Sequence, residues 1–252
     1  MGSGDGVDVG EALNSAARPW SPAASKLINF IYVFWAENRR PPNYLDINRS
    51  LRLLPHRTRR LFRELEEGFA LTSQDQLVGF SIDKAPPFSA TPTTIAAFVD
   101  GQFLSYIGCP MEGLTAGGLP PLEDTVLTLR SFCACCFRAI ELEMRGNELL
   151  SSSPSEPLVS VIRPPYAWEG GVSCTVVCDS FHYVLDADHA ERFERRTARR
   201  GTTMTMGQAA LFTADIAARR MRDPDFPQIR IEAEPVLEFF ESIGVDVGAW
   251  RD

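Results

Sequence analysis

Two stretches, "TVLTLRSFC" (125–133) and "FRAIELEMRG" (137–146), alternate apolar and polar residues and are joined through "CACC". A period of two sends successive side chains to opposite faces, so this pattern demands paired strands with one buried face and excludes a helix. Around that pair, "LVSVIRPP" (158–165) reads as a strand ending at two prolines, and "VSCTVVCDSFHYVL" (172–185) as a long strand. A sheet therefore organises the middle of the chain.

Helical spacing dominates the two ends. "AASKLINFIYVFWAENRRPP" sets Leu27, Ile28, Ile31, Phe34 and Trp35 on one side, then stops at Arg39–Arg40 and Pro41–Pro42. "YLDINRSL" (44–51) reads as a short helix. "LPHRTRRLFRELEEG" starts with Pro55 in a first-turn position, places Leu61, Phe62 and Leu65 together, and offers Gly68 as a left-handed cap. "FALTSQDQLVGFSI" follows as strand, turn and strand, so helices plus hairpin form a winged-helix-like unit. Late in the chain, Asp188 with Glu191 and Thr205 with Gln208 have capping-box spacing at the starts of two helices. "VLEFFESIGV" reads as a last short helix on the body. The fold class is α+β: a helical, winged-helix-like unit, then a mixed sheet domain with flanking helices. The expected divisions are a flexible extension at 1–22, the helical unit at 23–83, a linker at 84–94 and the sheet domain at 95–252.

Composition narrows the function. The net charge is −8, from 25 Lys and Arg against 33 Asp and Glu, which disfavours nucleic acid as a partner because binding phosphates needs a positive face. The longest apolar stretch, 27–36, is too short to span a bilayer, and the N-terminus lacks the basic segment of a secretory signal. Six cysteines in a chain long enough to build its own core read as reduced thiols in a cytoplasm. No phosphate loop, HExxH or GxSxG is present. His56 and His189 are helix-start residues, and His182 reads as a surface or internally satisfied side chain.

The cysteines carry the remaining signal. In "GCPMEGL" (108–114), Cys109 and Glu112 share one face if a helical turn begins there. A thiol at a helix N-terminus is biased toward thiolate, and a carboxyl group beside it can take or give a proton. A core thiol near an unrelated glutamate has the same spacing. Cys174 and Cys178 fall on one face of a strand, where packing explains them. Cys133, Cys135, Cys174 and Cys178 could also supply the four thiolates of a structural zinc site, although the spacings match no standard ribbon.

Taken together, residues 40–222 resemble the organomercurial (alkylmercury) lyases. The resemblance runs through "RSLRLLPHRTRRLFRELEEGFAL", "LVGFSI", "FVDGQFLSYIGCPMEGL", "LRSFCACCFRAIEL", "LVSVIRPP", "VVCDSFHYVLDADHAERF" and "TMGQAALFTADIAARRM". In that family two cysteines and an aspartate cut a carbon–mercury bond without an organic cofactor. By position, the resemblance implies Cys109 and Cys178 as mercury ligands, Glu112 as proton carrier and Cys133 as a structural cysteine. Thiolates suit so soft a metal. The implied partners are an organomercurial and the small thiols, or a mercury acceptor protein, that remove the product. Glu112 departs from the family's aspartate by one methylene, and "TAGGLPP" looks like an insertion. A register through "PLEDT" would make Asp124 the acid, but it puts Pro121 where the nucleophilic cysteine belongs. The alternative function is a thiol-rich relative that senses a soft metal through its winged helix, with Arg57, Arg59, Arg60 and Arg63 facing DNA, or one that acts on another substrate.

Overall fold

The computed structural model describes residues 20–68, 70–76, 79–168, 177–213 and 232–251. Helix α1 (Pro22–Asn38) is capped by Ser21, whose Oγ accepts from Ala24 N at 3.3 Å, and it stops in a left-handed turn at Arg39. Its face of Ala24, Leu27, Ile28, Ile31, Tyr32 and Trp35 is buried. Each large side chain on that face contributes about 1.5–3 kcal/mol, against about 1 kcal/mol for a cap. Packing therefore decides where the helix lies, and the cap decides where it begins. Helix α2 (Tyr44–Leu51) opens with an Asn43–Asp46 capping box. Helix α3 (Pro55–Glu67) carries its proline at the first turn and buries Leu61, Phe62 and Leu65. Gly68 ends α3 at φ −90°, so no left-handed residue is used there. Glu64 instead turns back to α1, accepting from Ser21 N and Oγ at 2.6 and 2.9 Å.

Strand β1 (Thr72–Gln76) and strand β2 (Gly79–Ala85) form the expected hairpin. It does not stand apart: β3 (Phe88–Ser89) pairs with β2 and with β5 (Gln102–Ile107), so the hairpin is one edge of an eight-stranded sheet. The order is β1-β2-β3-β5-β4-β6-β7-β8, with β4 (Ile95–Val99), β6 (Val126–Phe132), β7 (Ala139–Arg145) and β8 (Glu148–Ser153), and every pairing is antiparallel. Residues 84–94 therefore supply the end of β2 and all of β3. Trp35 of α1 meets Phe88 of β3 with ring centroids 5.4 Å apart, which seats the helical unit on the sheet.

The alternation in "TVLTLRSFC" and "FRAIELEMRG" becomes the β6–β7 ladder, in which Leu127, Leu129, Ile140, Leu142 and Met144 fill the core. A second sheet, β10-β9-β11, is formed by β9 (Leu158–Val161), β10 (Phe181–Val184) and β11 (Thr202–Thr205). Helix α4 (Pro110–Ala116) follows β5 directly, and α5 (Ala187–Thr197) follows β10. The cap of α5 is Asp186, whose Oδ1 accepts from His189 N at 2.9 Å, two residues earlier than the expected Asp188 box. The Thr205–Gln208 box forms as expected: Thr205 N donates to Gln208 Oε1 and Gln208 N to Thr205 Oγ1, at 2.9 and 3.2 Å. Gly201 serves β11: a Cβ there would lie 2.3 Å from the Val161 carbonyl oxygen of β9. Helix α6 (Ala233–Ser242) packs Phe239 and Phe240 against Phe212. Among the described residues no helix is long and apolar enough to cross a membrane.

Candidate active site

Two neighbouring elements build the site. Strand β5 ends at Ile107, and the chain turns through Gly108 to Cys109, the N-cap of α4, held extended at φ −157° and ψ 172°. Pro110 occupies the first helical position, where its missing N–H costs nothing. Cys109 O accepts from Gly113 N at 2.9 Å, so the helical turn that brings Cys109 and Glu112 together is formed. From the other sheet, Cys178 arrives in a 3-10 turn (Cys178–Ser180) that leads into β10. It is not on a strand as expected. The turn's Ser180 carbonyl accepts from Ile162 N at 2.9 Å, which ties it to the end of β9. Cys174, expected on the same face, lies outside the described residues.

Cys109 and Cys178 are buried, at 3% and 7% exposure, while Glu112 is half-buried. One ligand atom from each of the three lies within 4.8 Å of the others. Two sulfurs bound to one metal at an ordinary thiolate distance of about 2.3 Å stand at most about 4.6 Å apart. The gap therefore closes around a metal with little movement. The Cys178 thiol donates to Glu112 Oε1 at 3.2 Å. Its pKa is pushed well up, first by its hydrogen bond with Cys109, then by burial, then by the charges of Cys109 and Glu112. Cys178 is thus a protonated thiol aimed at a carboxylate.

That shift has a sign that can be tested. The folded chain holds the Cys178 proton more tightly than the unfolded chain, so the stability it adds is complete below the ordinary thiol range and is lost as pH rises beyond it. Thermal melts are expected to fall in midpoint above about pH 8.5, and Cys178→Ser is expected to flatten that slope. Equal slopes in the two proteins would contradict the buried, proton-holding thiol.

Sequence reasoning gave no role to Tyr183 of β10, which lies against the start of α4. Its ring is buried at 2% exposure, its hydroxyl faces the Pro110 carbonyl at 3.4 Å, and burial with the nearby Cys109 charge pushes its pKa up. Its own carbonyl accepts from Ala134 N at 2.9 Å, linking the "CACC" turn to this strand. Only its place five residues after Cys178, in a segment of strand-like composition, could have pointed to it.

The other candidates fall elsewhere. Asp124 is exposed in the turn before β6 and is not part of the group. Cys133 is fully buried and closes the β6–β7 turn, donating from its N to Arg138 O at 2.8 Å. Cys133 and Cys135 do not join Cys178: among the described residues the one group of three potential ligands is Cys109, Glu112 and Cys178. Of the four thiols that could supply a zinc site, the three described ones, Cys133, Cys135 and Cys178, are therefore not brought together, and Cys133 is packed into the core. The five described cysteines are free thiols. His182 is satisfied by Asp179 O at 3.1 Å and the Phe193 ring at 5.0 Å, and burial lowers its pKa.

The structure superposes on the crystal structure of the mercury-bound form of MerB2 with a TM-score of 0.65 and 15% identity, covering 84% of this chain and 97% of that one, which establishes a shared fold. No curated protein sequence matches. The family described as "MerB: Alkylmercury lyase" matches residues 88–218, just over half of the 252 residues and inclusive of Cys109, Glu112 and Cys178. With its fold, its sequence and its two-thiol, one-carboxylate site in accord, this chain belongs to the alkylmercury lyase family.

Proposed function

We propose that the protein cleaves carbon–mercury bonds by protonolysis, with Cys109 and Cys178 as the mercury ligands and Glu112 as the proton carrier. The convergence of two sulfurs and a carboxylate within 4.8 Å is the observation that carries this reading. The substrate arrives as R–Hg–SR′, an organomercurial bound to a small thiol. One protein thiol displaces R′S, and its proton leaves on R′SH. The second thiol then binds mercury and gives its proton to Glu112, along the line already drawn by the Cys178 Sγ to Oε1 contact of 3.2 Å. Two thiolates place electron density on mercury and weaken its bond to carbon. The carbon takes the electron pair of the breaking bond and the proton from Glu112, so R–H departs and mercury stays divalent on both sulfurs. Small thiols, or an acceptor protein with thiols of its own, exchange the metal away in a reducing, cytoplasmic setting.

The deciding experiment is headspace gas chromatography on purified protein given phenylmercury and excess small thiol. Benzene in proportion to the substrate consumed supports the lyase. Tight mercury binding with no benzene means that the thiol pocket serves sensing or other chemistry.

A further inference from the structure

We propose that Gly108 is a positioning residue for the carboxylate of Glu112, and that the missing side chain at 108 is what allows a glutamate to serve in this site. The inference rests on the reading of Glu112 as proton carrier. A Cβ built on Gly108 would lie 2.0 Å from Glu112 Oε2, 3.0 Å from Cδ and 3.5 Å from Oε1. These are its three nearest neighbours, so the carboxylate fills the volume that a side chain at 108 would take. Residues 108 and 112 are one helical turn apart, and the longer acid folds back over the start of that turn. Its two oxygens then have separate surroundings: Oε2 lies over Gly108, and Oε1 meets the Cys178 thiol at 3.2 Å.

The backbone at 108 has little freedom to retreat. Gly108 N donates to the Pro87 carbonyl at 3.2 Å, β5 is paired on both sides up to Ile107, and Cys109 begins α4 immediately after. An added methyl is therefore relieved by swinging the Glu112 carboxylate away, because the tip of a long side chain moves more easily than a paired strand. Proton transfer needs heavy atoms within about 2.6–3.2 Å, and the Cys178 contact already sits at the long end of that range. A small swing takes the acid out of reach while both sulfurs stay where they are.

The test is a set of variants carried through three measurements: hydrocarbon release from phenylmercury in a single turnover, binding of inorganic Hg(II) by thiolate–mercury absorbance, and thermal melting. Gly108→Ala is expected to slow release about 100-fold, the scale of a ~1 Å misplacement, with Hg(II) binding unchanged. In a Glu112→Asp background, where the acid no longer reaches over 108, Gly108→Ala is expected to cost less than about threefold, because neighbouring changes that relieve one another are not additive. The melting midpoint should fall with Gly108→Ala alone and be restored when Glu112→Ala is added, which also covers a single variant that folds poorly. An equal penalty from Gly108→Ala in every background, or none in any, overturns the proposal. A wild type that releases no hydrocarbon but shows the melting coupling defeats the lyase reading and leaves the positioning intact. Absence of that coupling overturns the positioning whatever the release shows.

Discussion

Cys109→Ser and Cys178→Ser, made singly, are each expected to abolish hydrocarbon release, with losses of roughly three orders of magnitude or more, as for groups that act only as a unit. The reason lies in bond character. Serine keeps the shape of cysteine but offers mercury a hard, protonated oxygen in place of a soft thiolate. A single remaining sulfur can hold R–Hg, yet it cannot supply the second share of electron density that loosens carbon. The double variant should therefore be no worse than either single one. A Cys136→Ser control, at an exposed thiol in the β6–β7 turn, should keep wild-type release. Mass spectrometry of phenylmercury-treated protein adds a second readout: each single variant should retain a mercury–phenyl adduct where the wild type retains bare mercury. Release surviving in either variant at more than a few per cent would remove that cysteine from the mechanism.

The two halves of this site were legible in the sequence to different degrees. Cys109 and Glu112 are three residues apart across a proline that opens a helical turn, so local helical geometry alone puts them on one face. Cys178 is 66 residues beyond Glu112, and no local pattern links them. Only the resemblance to a family with a second cysteine on the later segment joined them. Its setting is not legible locally either: "VSCTVVCDSFHYVL" has the composition of a strand, and a single 3-10 turn at 178–180 leaves no periodicity to read. That turn matters, because it brings the Cys178 thiol to Glu112 on α4.

The same contrast holds for the fold. The β6–β7 ladder was explicit because its alternation continues through seven residues on each strand. Strand β3 was hidden because it has two residues, and its neighbours Pro86 and Pro87 read as linker. Joining the hairpin to the large sheet depends on those two residues pairing on both sides, a tertiary outcome that composition does not announce. Gly108 was visible beside the cysteine from the start, but its importance depends on where the Glu112 carboxylate folds.

Glu112→Gln is the expected separation of binding from chemistry. The amide has the length and shape of the acid, and its carbonyl oxygen can still accept from the Cys178 thiol at the present 3.2 Å contact. The mercury ligands then keep their places, and affinity for Hg(II) should stay within about threefold of wild type, the scale of one lost charge at a partly solvated position. What the amide cannot do is carry a proton. With the carrier gone, the leaving carbon must draw its proton from water or from the thiol directly, and the lost general acid–base step should slow release by about 10²–10⁴-fold. Activity that survives Glu112→Gln but disappears in Asp124→Asn would move the acid to the turn before β6, and would require that turn to fold over the two sulfurs.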